Sequence, residues 1–252
     1  MTELNYKKSL LEYEESITNQ TLQEHIEVIQ YLLASINSLY GLLCTLQNPL
    51  VDIFPVNSPD RASKSLIVIY SMSAFQFSST ILDLLIKGQY SEAGGLIRSL
   101  IESVAYAEYF SLLPDVALSV AKDGKSFPGI STVFKFLKNK GKWPAGGPIK
   151  AYQRYNPAAH AGLNYILPLW TESSGTPQVT KMWIRKYNSS AFLKIAKELV
   201  IPLLGIQDIF RRRLVDSGKP IGNEFWQGYW TVGHNVEKIE RLFPDIKFGS
   251  SR

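Results

Sequence analysis

An all-α fold is predicted by three features of the sequence. Apolar residues recur at intervals of three and four over long stretches, and glycine and proline gather between those stretches. The third is size: 252 residues with 45% hydrophobic content suffice to bury one sizeable core. Nothing in the composition asks for a second domain, so residues 1–252 are read as a single helical domain, a multi-helix bundle with an irregular insertion.

The elements follow in order. Leu4 to Ile17 and Thr21 to Leu46 read as two helices, the second carrying Ile26, Ile29, Leu32 or Leu33, Ile36, Leu39 or Tyr40, and Leu43 on a helical period. Pro49, Pro55 and Pro59 mark a loop over Asn48 to Asp60. Arg61 to Lys87 forms the next helix, closed by Gly88, which accepts the left-handed conformation after a helix end. Ser91 to Leu113 follows at once as its antiparallel partner, with Ala93, Leu96, Ile97, Leu100, Ile101 and Val104 on one side and Pro114 as its stop. Ala121 to Gly147 is rich in glycine and proline, with Ile130 to Lys140 as a short helix inside it. Ile149 to Tyr155 is helical, and Tyr165 to Trp170 and Val179 to Tyr187 pair as a short β-hairpin across Ser173, Ser174 and Gly175. Two helices finish the chain, Ser189 to Val215, expected to kink or restart at Pro202, and Asn223 to Phe243.

Charge is unevenly distributed. Lys122 to Arg154 holds seven lysines and one arginine against Asp123, a net +7, while the whole chain carries +5. The first thirty residues are acidic, with Glu3, Glu12, Glu14, Glu15, Glu24 and Glu27. Either the two segments face each other or solvate separate surfaces, or the basic one is an anion-binding face, with Lys138, Lys140 and Lys142 as its binding residues and RNA as one ligand. Arg211, Arg212 and Arg213 read as a solvated helix face, with a phosphate contact as the alternative.

Cys44 is the only cysteine, so the fold needs no oxidising compartment and a cytoplasmic setting is expected. The N-terminus lacks a secretory h-region. The longest apolar run, Ser65 to Phe75, falls short of the roughly 20 residues a bilayer requires, so no membrane association is expected. His25, His160 and His234 lack metal-ligand spacing, and no phosphate loop, dinucleotide glycine pattern or Gly-x-Ser-x-Gly elbow is present. No metal and no cofactor are implied.

Two polar groups stand out. Gly95, Arg98, Glu102, Ala105 and Tyr109 share a second face of their helix, where something packs; Arg98 and Glu102 can pair there, either as an exposed or bridging ion pair or at an interhelical site where Gly95 permits close approach. Tyr152 to Gly162 places Arg154, Asn156 and His160 together beside the basic region, and histidine exchanges protons near neutral pH. Phe225, Trp226, Tyr229 and Trp230 form an aromatic stripe with helical spacing, either core packing or the face of a homodimer.

Leu85-Ile86-Lys87-Gly88-Gln89-Tyr90-Ser91-Glu92-Ala93 followed by Leu96 to Glu102 resembles the helical hairpin of bacterial families without a settled activity, with a Leu-x-x-Gly-x-x-x-Glu-Ala run and then Leu-x-Arg-Ser-x-x-Glu. Tyr152, Asn156, His160 and Gly162 fit a later block of those families, and Tyr187 to Ser190 the start of their last long helix. The resemblance implies an all-helical fold in which Glu92, Arg98, Glu102 and His160 converge. Arg154, five intervening residues and His160 also resemble the motif of HEPN ribonucleases. That resemblance implies metal-independent RNA cleavage, with His160 handling the 2′-hydroxyl proton and Arg154 steadying phosphate in a cleft between two protomers. Two expectations result: a helical binding module in which Arg98, Glu102 and His160 are structural, and a ribonuclease or toxin using Arg154 and His160.

Overall fold

A computed structural model describes residues 3–50, 56–124, 127–142, 148–159 and 187–216, together with helical positions at Asn223, Gln227, Trp230, His234, Glu237, Lys238 and Arg241. Among the described residues there are seven helices and no strand. They are α1 (Glu3–Leu50), α2 (Pro59–Ile86), α3 (Tyr90–Leu112), α4 (Pro114–Asp123), α5 (Ile130–Asn139), α6 (Pro148–Ala159) and α7 (Ser189–Asp216). The expected β-hairpin lies outside the described residues.

Local chemistry sets the helix ends. Ser58 caps α2 by accepting from the Arg61 amide, and Pro59 sits in the first turn, where its missing N–H costs nothing. Gly88 takes a φ of 71°, and the Gln89 amide returns to the Leu84 carbonyl at 2.8 Å, folding α3 back against α2. Asn188 caps α7 through the Ala191 amide at 3.0 Å.

Several boundaries differ from expectation. The first two helices are one run, α1, whose break falls at His25 (φ −126°, ψ 20°) rather than near residue 20. Pro49 lies inside the last turn of α1. Pro114 does stop α3, but it also opens α4 as the first-turn proline. Helix α7 runs through Pro202 without restarting, and α6 continues two residues past Pro157 to Ala159, each proline giving up only its own bond to the carbonyl four residues before it.

Helix α3 is the axis of the bundle. It packs on α2, α4, α5, α6 and α7, while α1 lies across α2 and α7. Ile97, Leu100, Ile101 and Phe110 of α3 are inaccessible to solvent, as are Ile81, Leu85, Leu137, Leu199 and Leu203 around it. Ala105 and Tyr109, on the second face noted in the sequence, are buried too, so that face of α3 is covered toward its C-terminal end. Pair contacts give the directions. Ser63 bonds the Phe110 carbonyl, so α2 and α3 are antiparallel; Gly94 meets Tyr155 while Glu102 meets Tyr152, so α3 and α6 are antiparallel. Val104 touches Gly205 and Glu108 touches Arg212, so α3 and α7 run parallel. Among the described residues, the main packing partners of α1 are α2 and α7, and that of α5 is α3.

By length and composition, Leu11–Cys44 and Pro59–Ile86 could each cross a bilayer, although nearly half of each such window is turned into the bundle.

Candidate functional site

The junction of α3, α5 and α6 unites three of the residues singled out in the sequence. Arg98 Nη2 donates to Tyr152 Oη at 2.8 Å, and Tyr152 Oη donates to Glu102 Oε1 at 2.9 Å. Arg98 Nε lies 3.3 Å from Glu102 Oε1, closing a three-membered ring of polar contacts. The guanidinium also lies over the Tyr152 ring, 4.8 Å from its centroid, and Phe134 of α5 meets that ring edge-on at 4.9 Å. Burial and the Glu102 hydrogen bond raise the Tyr152 hydroxyl above its ordinary pKa, so it stays protonated and donates.

Close approach of α6 depends on Gly94, not Gly95. A Cβ at Gly94 would stand 2.6 Å from the buried Tyr155 ring, whereas one at Gly95 would meet nothing within 4 Å. Tyr152 and Tyr155, three apart on α6, thus clamp α3 at Glu102 and Gly94.

Arg154 faces elsewhere. Its guanidinium is paired with Glu198 of α7, so the side chain bridges α6 and α7 while remaining 45% exposed. Asn156 belongs to the last turns of α6, and His160 and Gly162 lie outside the described residues. Glu92 is exposed at the start of α3.

The basic segment is an outward face. Ile130, Val133, Phe134 and Leu137 turn α5 toward the bundle, leaving Lys135, Lys138, Lys140 and Lys142 exposed, with Lys150 exposed at the start of α6. Gly141, at φ 66°, ends α5, and the lysines around it suit the negative end of the helix dipole. Lys140 Nζ lies 5.8 Å from the Phe136 ring centroid, a long contact at an exposed site.

Two arrangements were not anticipated. Arg212 and Arg213 are not a solvated face: Arg212 pairs with buried Glu108 and with Asp208 (2.9 Å), and Arg213 reaches Asp60 (3.0 Å) and Ser63 (3.3 Å). Asp60 lies 153 residues away, so local spacing held no sign of it. The second arrangement sits at the break in α1. His25 stacks on Phe192 at 4.4 Å, and its Nε2 lies 2.9 Å from Tyr187 Oη, which also donates to Glu24. Burial pushes the His25 pKa down, and the Tyr187 hydroxyl is pushed up to about 12, by desolvation first and then by Glu24. Thr21 bonds back to the Ile17 carbonyl at 2.9 Å just before the break, a contact that bends helices.

No group of three or more His, Cys, Asp or Glu side chains converges among the described residues in the manner of a metal site. Comparison with protein-family models, with curated proteins and with solved structures finds no match to this chain.

Proposed function

We propose that this chain is a helical binding module whose basic face, carried by α5 and the start of α6, docks an anionic polymer, with RNA as the first candidate. The carrying observation is the division of labour at the α3–α5–α6 junction. Arg98, Glu102 and Tyr152 engage one another and fix α6 against α3, while Lys135, Lys138, Lys140, Lys142 and Lys150 point to solvent. Exposed lysines on and after α5 and at the start of α6 can meet a phosphate backbone without a deep pocket, and displaced counterions drive the association. Arg98 and Glu102 act as positioning residues for that face. The pairing of Arg154 with Glu198 supports binding over cleavage, since a phosphate would have to displace a carboxylate from it.

The test is RNA binding and RNA cleavage measured side by side in EDTA, with salt varied, for wild type, His160→Ala and the triple variant Lys138→Gln, Lys140→Gln, Lys142→Gln. The expected result is salt-sensitive binding without cleavage. The triple variant should reduce the slope of log K against log salt by up to about three. Cleavage that His160→Ala abolishes would replace this reading with a HEPN-like metal-independent ribonuclease. Absence of both binding and cleavage would leave a protein partner for the module.

A further inference from the structure

Among the described phenylalanines Phe127 alone is exposed, at 44%. Its inner side is fixed. The ring lies 4.9 Å from Tyr106 and 6.0 Å from Phe110 of α3, and both of those rings continue to Tyr70 of α2, at 5.2 and 6.0 Å. Tyr106 Oη donates to the Pro128 carbonyl at 3.0 Å, tethering the chain beside the ring. Helix α5 lies next to it on α3: Phe136 meets Tyr109 edge-on at 5.2 Å, and Val133, Phe134 and Leu137 are buried. Ser131, Lys135 and Lys138 therefore recur along the outer side of α5, and Lys140 and Lys142 follow its end. Asp123 is the one acidic residue in the sequence between Val116 and Arg154.

We propose that the ligand of this face, on the reading that it docks RNA, is single-stranded, with a base stacked on the outer side of Phe127 and phosphates following the lysines of α5. A ring held on one side and wet on the other is already ordered, so little ordering cost opposes stacking of a planar partner on it. The exposed residues beside it in the chain, Lys122, Asp123, Gly124, Gly129, Ser131 and Thr132, are polar or small. They make the ring a single platform in polar surroundings, unlike the broad apolar patch that a protein partner covers. The run from Gly124 to Arg154, with cations and no acid, complements a phosphate backbone, and every base has a face to stack whatever the sequence. In an A-form duplex the base faces are taken up by their neighbours, and a protein meets phosphates and 2′-hydroxyls instead. Lysines bind either form, and Phe127 distinguishes them.

The experiment is fluorescence anisotropy of the full chain with a labelled, unstructured oligoribonucleotide and with the same strand annealed to its complement. Wild type is compared with Phe127→Leu, Phe127→Tyr and the triple variant Lys138→Gln, Lys140→Gln, Lys142→Gln, with helical circular dichroism recorded for each. Wild type is expected to bind the single strand at least about tenfold more tightly than the duplex. Phe127→Leu should lose about tenfold on the single strand, with duplex affinity, salt slope and dichroism unchanged, and Phe127→Tyr should keep the wild-type affinity. The lysine variant should weaken both forms. Equal wild-type affinity for the two forms, or an equal loss on both in Phe127→Leu, would overturn the inference while leaving RNA docking in place. Binding of neither form would overturn the docking reading and this inference with it. Competition by poly-glutamate as effective as that by unlabelled single strand would give the surface to an acidic polypeptide instead.

Discussion

The two halves of α3 are tied down by arginine in contrasting ways. Toward its N-terminal end, Arg98 and Glu102 stand one turn apart on α3 itself and share Tyr152 of α6 at a part-buried junction. In its second half, Glu108 is only 3% exposed and takes its cation from α7, where Arg212 is also held by Asp208. A local pair bridged by a neutral hydroxyl can lose one member and let water in. A buried carboxylate whose cation comes from another helix has no such recourse, because an unpaired charge is stranded in a low-dielectric interior. The first junction can therefore serve to position a surface, and the second serves to hold the bundle together.

The contrast is broken most severely by Arg212→Met, which strands Glu108. Urea unfolding should show a loss of about 3 kcal/mol, the range expected for breaking a buried pair from one side. Next in size is Gly94→Ala, whose added methyl meets the Tyr155 ring at 2.6 Å; a loss of about 2 kcal/mol is expected from overpacking. Gly95→Ala, with open space around it, should instead be neutral or stabilising by up to ~1 kcal/mol, so the two glycines form an internal control. Tyr152→Phe keeps the ring between Arg98 and Phe134 and removes only the bridging hydroxyl. Its cost should be about 1.5 kcal/mol, half that of Arg212→Met or less.

The smallest effect concerns pH. The His25 pKa is lowered in the folded chain because burial disfavours its charged form. The unfolded chain therefore binds the proton more readily. The contribution of His25 is fully present above its ordinary value of about 6.5 and is lost as pH falls through the lower folded value. Comparing unfolding free energies from pH 7.5 downward, His25→Phe should flatten that decline relative to wild type, and an unchanged slope would show that other groups carry it.

The sequence revealed those parts of the architecture that depend on near neighbours. Gly88 between two apolar periods marked the α2–α3 hairpin, and Arg98 with Glu102 marked a second packed face on α3, because helical periodicity and i,i+4 spacing are local signals. What covers that face was legible only in part: Tyr152 was singled out, but its place between Arg98 and Glu102 depends on how α6 crosses α3. Attributing close approach to Gly95 rather than Gly94 follows from the same limit, since the two differ by 100° around the helix and only the position of Tyr155 decides between them. Arg212 and Arg213 looked solvated because their partners, Glu108 and Asp60, are more than a hundred residues away. The His25 junction left no periodic trace at all; it arises where α1, α3 and α7 meet through Thr21, Tyr90, Tyr187 and Asn188.

In the function we propose, α5 and the start of α6 present a docking surface held in place by a polar joint that does not itself touch the ligand. The most direct measurement is RNA affinity over a series of salt concentrations for wild type, the Lys138, Lys140 and Lys142 triple glutamine variant, and Tyr152→Phe. The account predicts a shallower salt slope for the lysine variant, and an unchanged slope with only a modest loss of affinity for Tyr152→Phe. Equal slopes for wild type and the lysine variant, or RNA cleavage by wild type in EDTA, would contradict it.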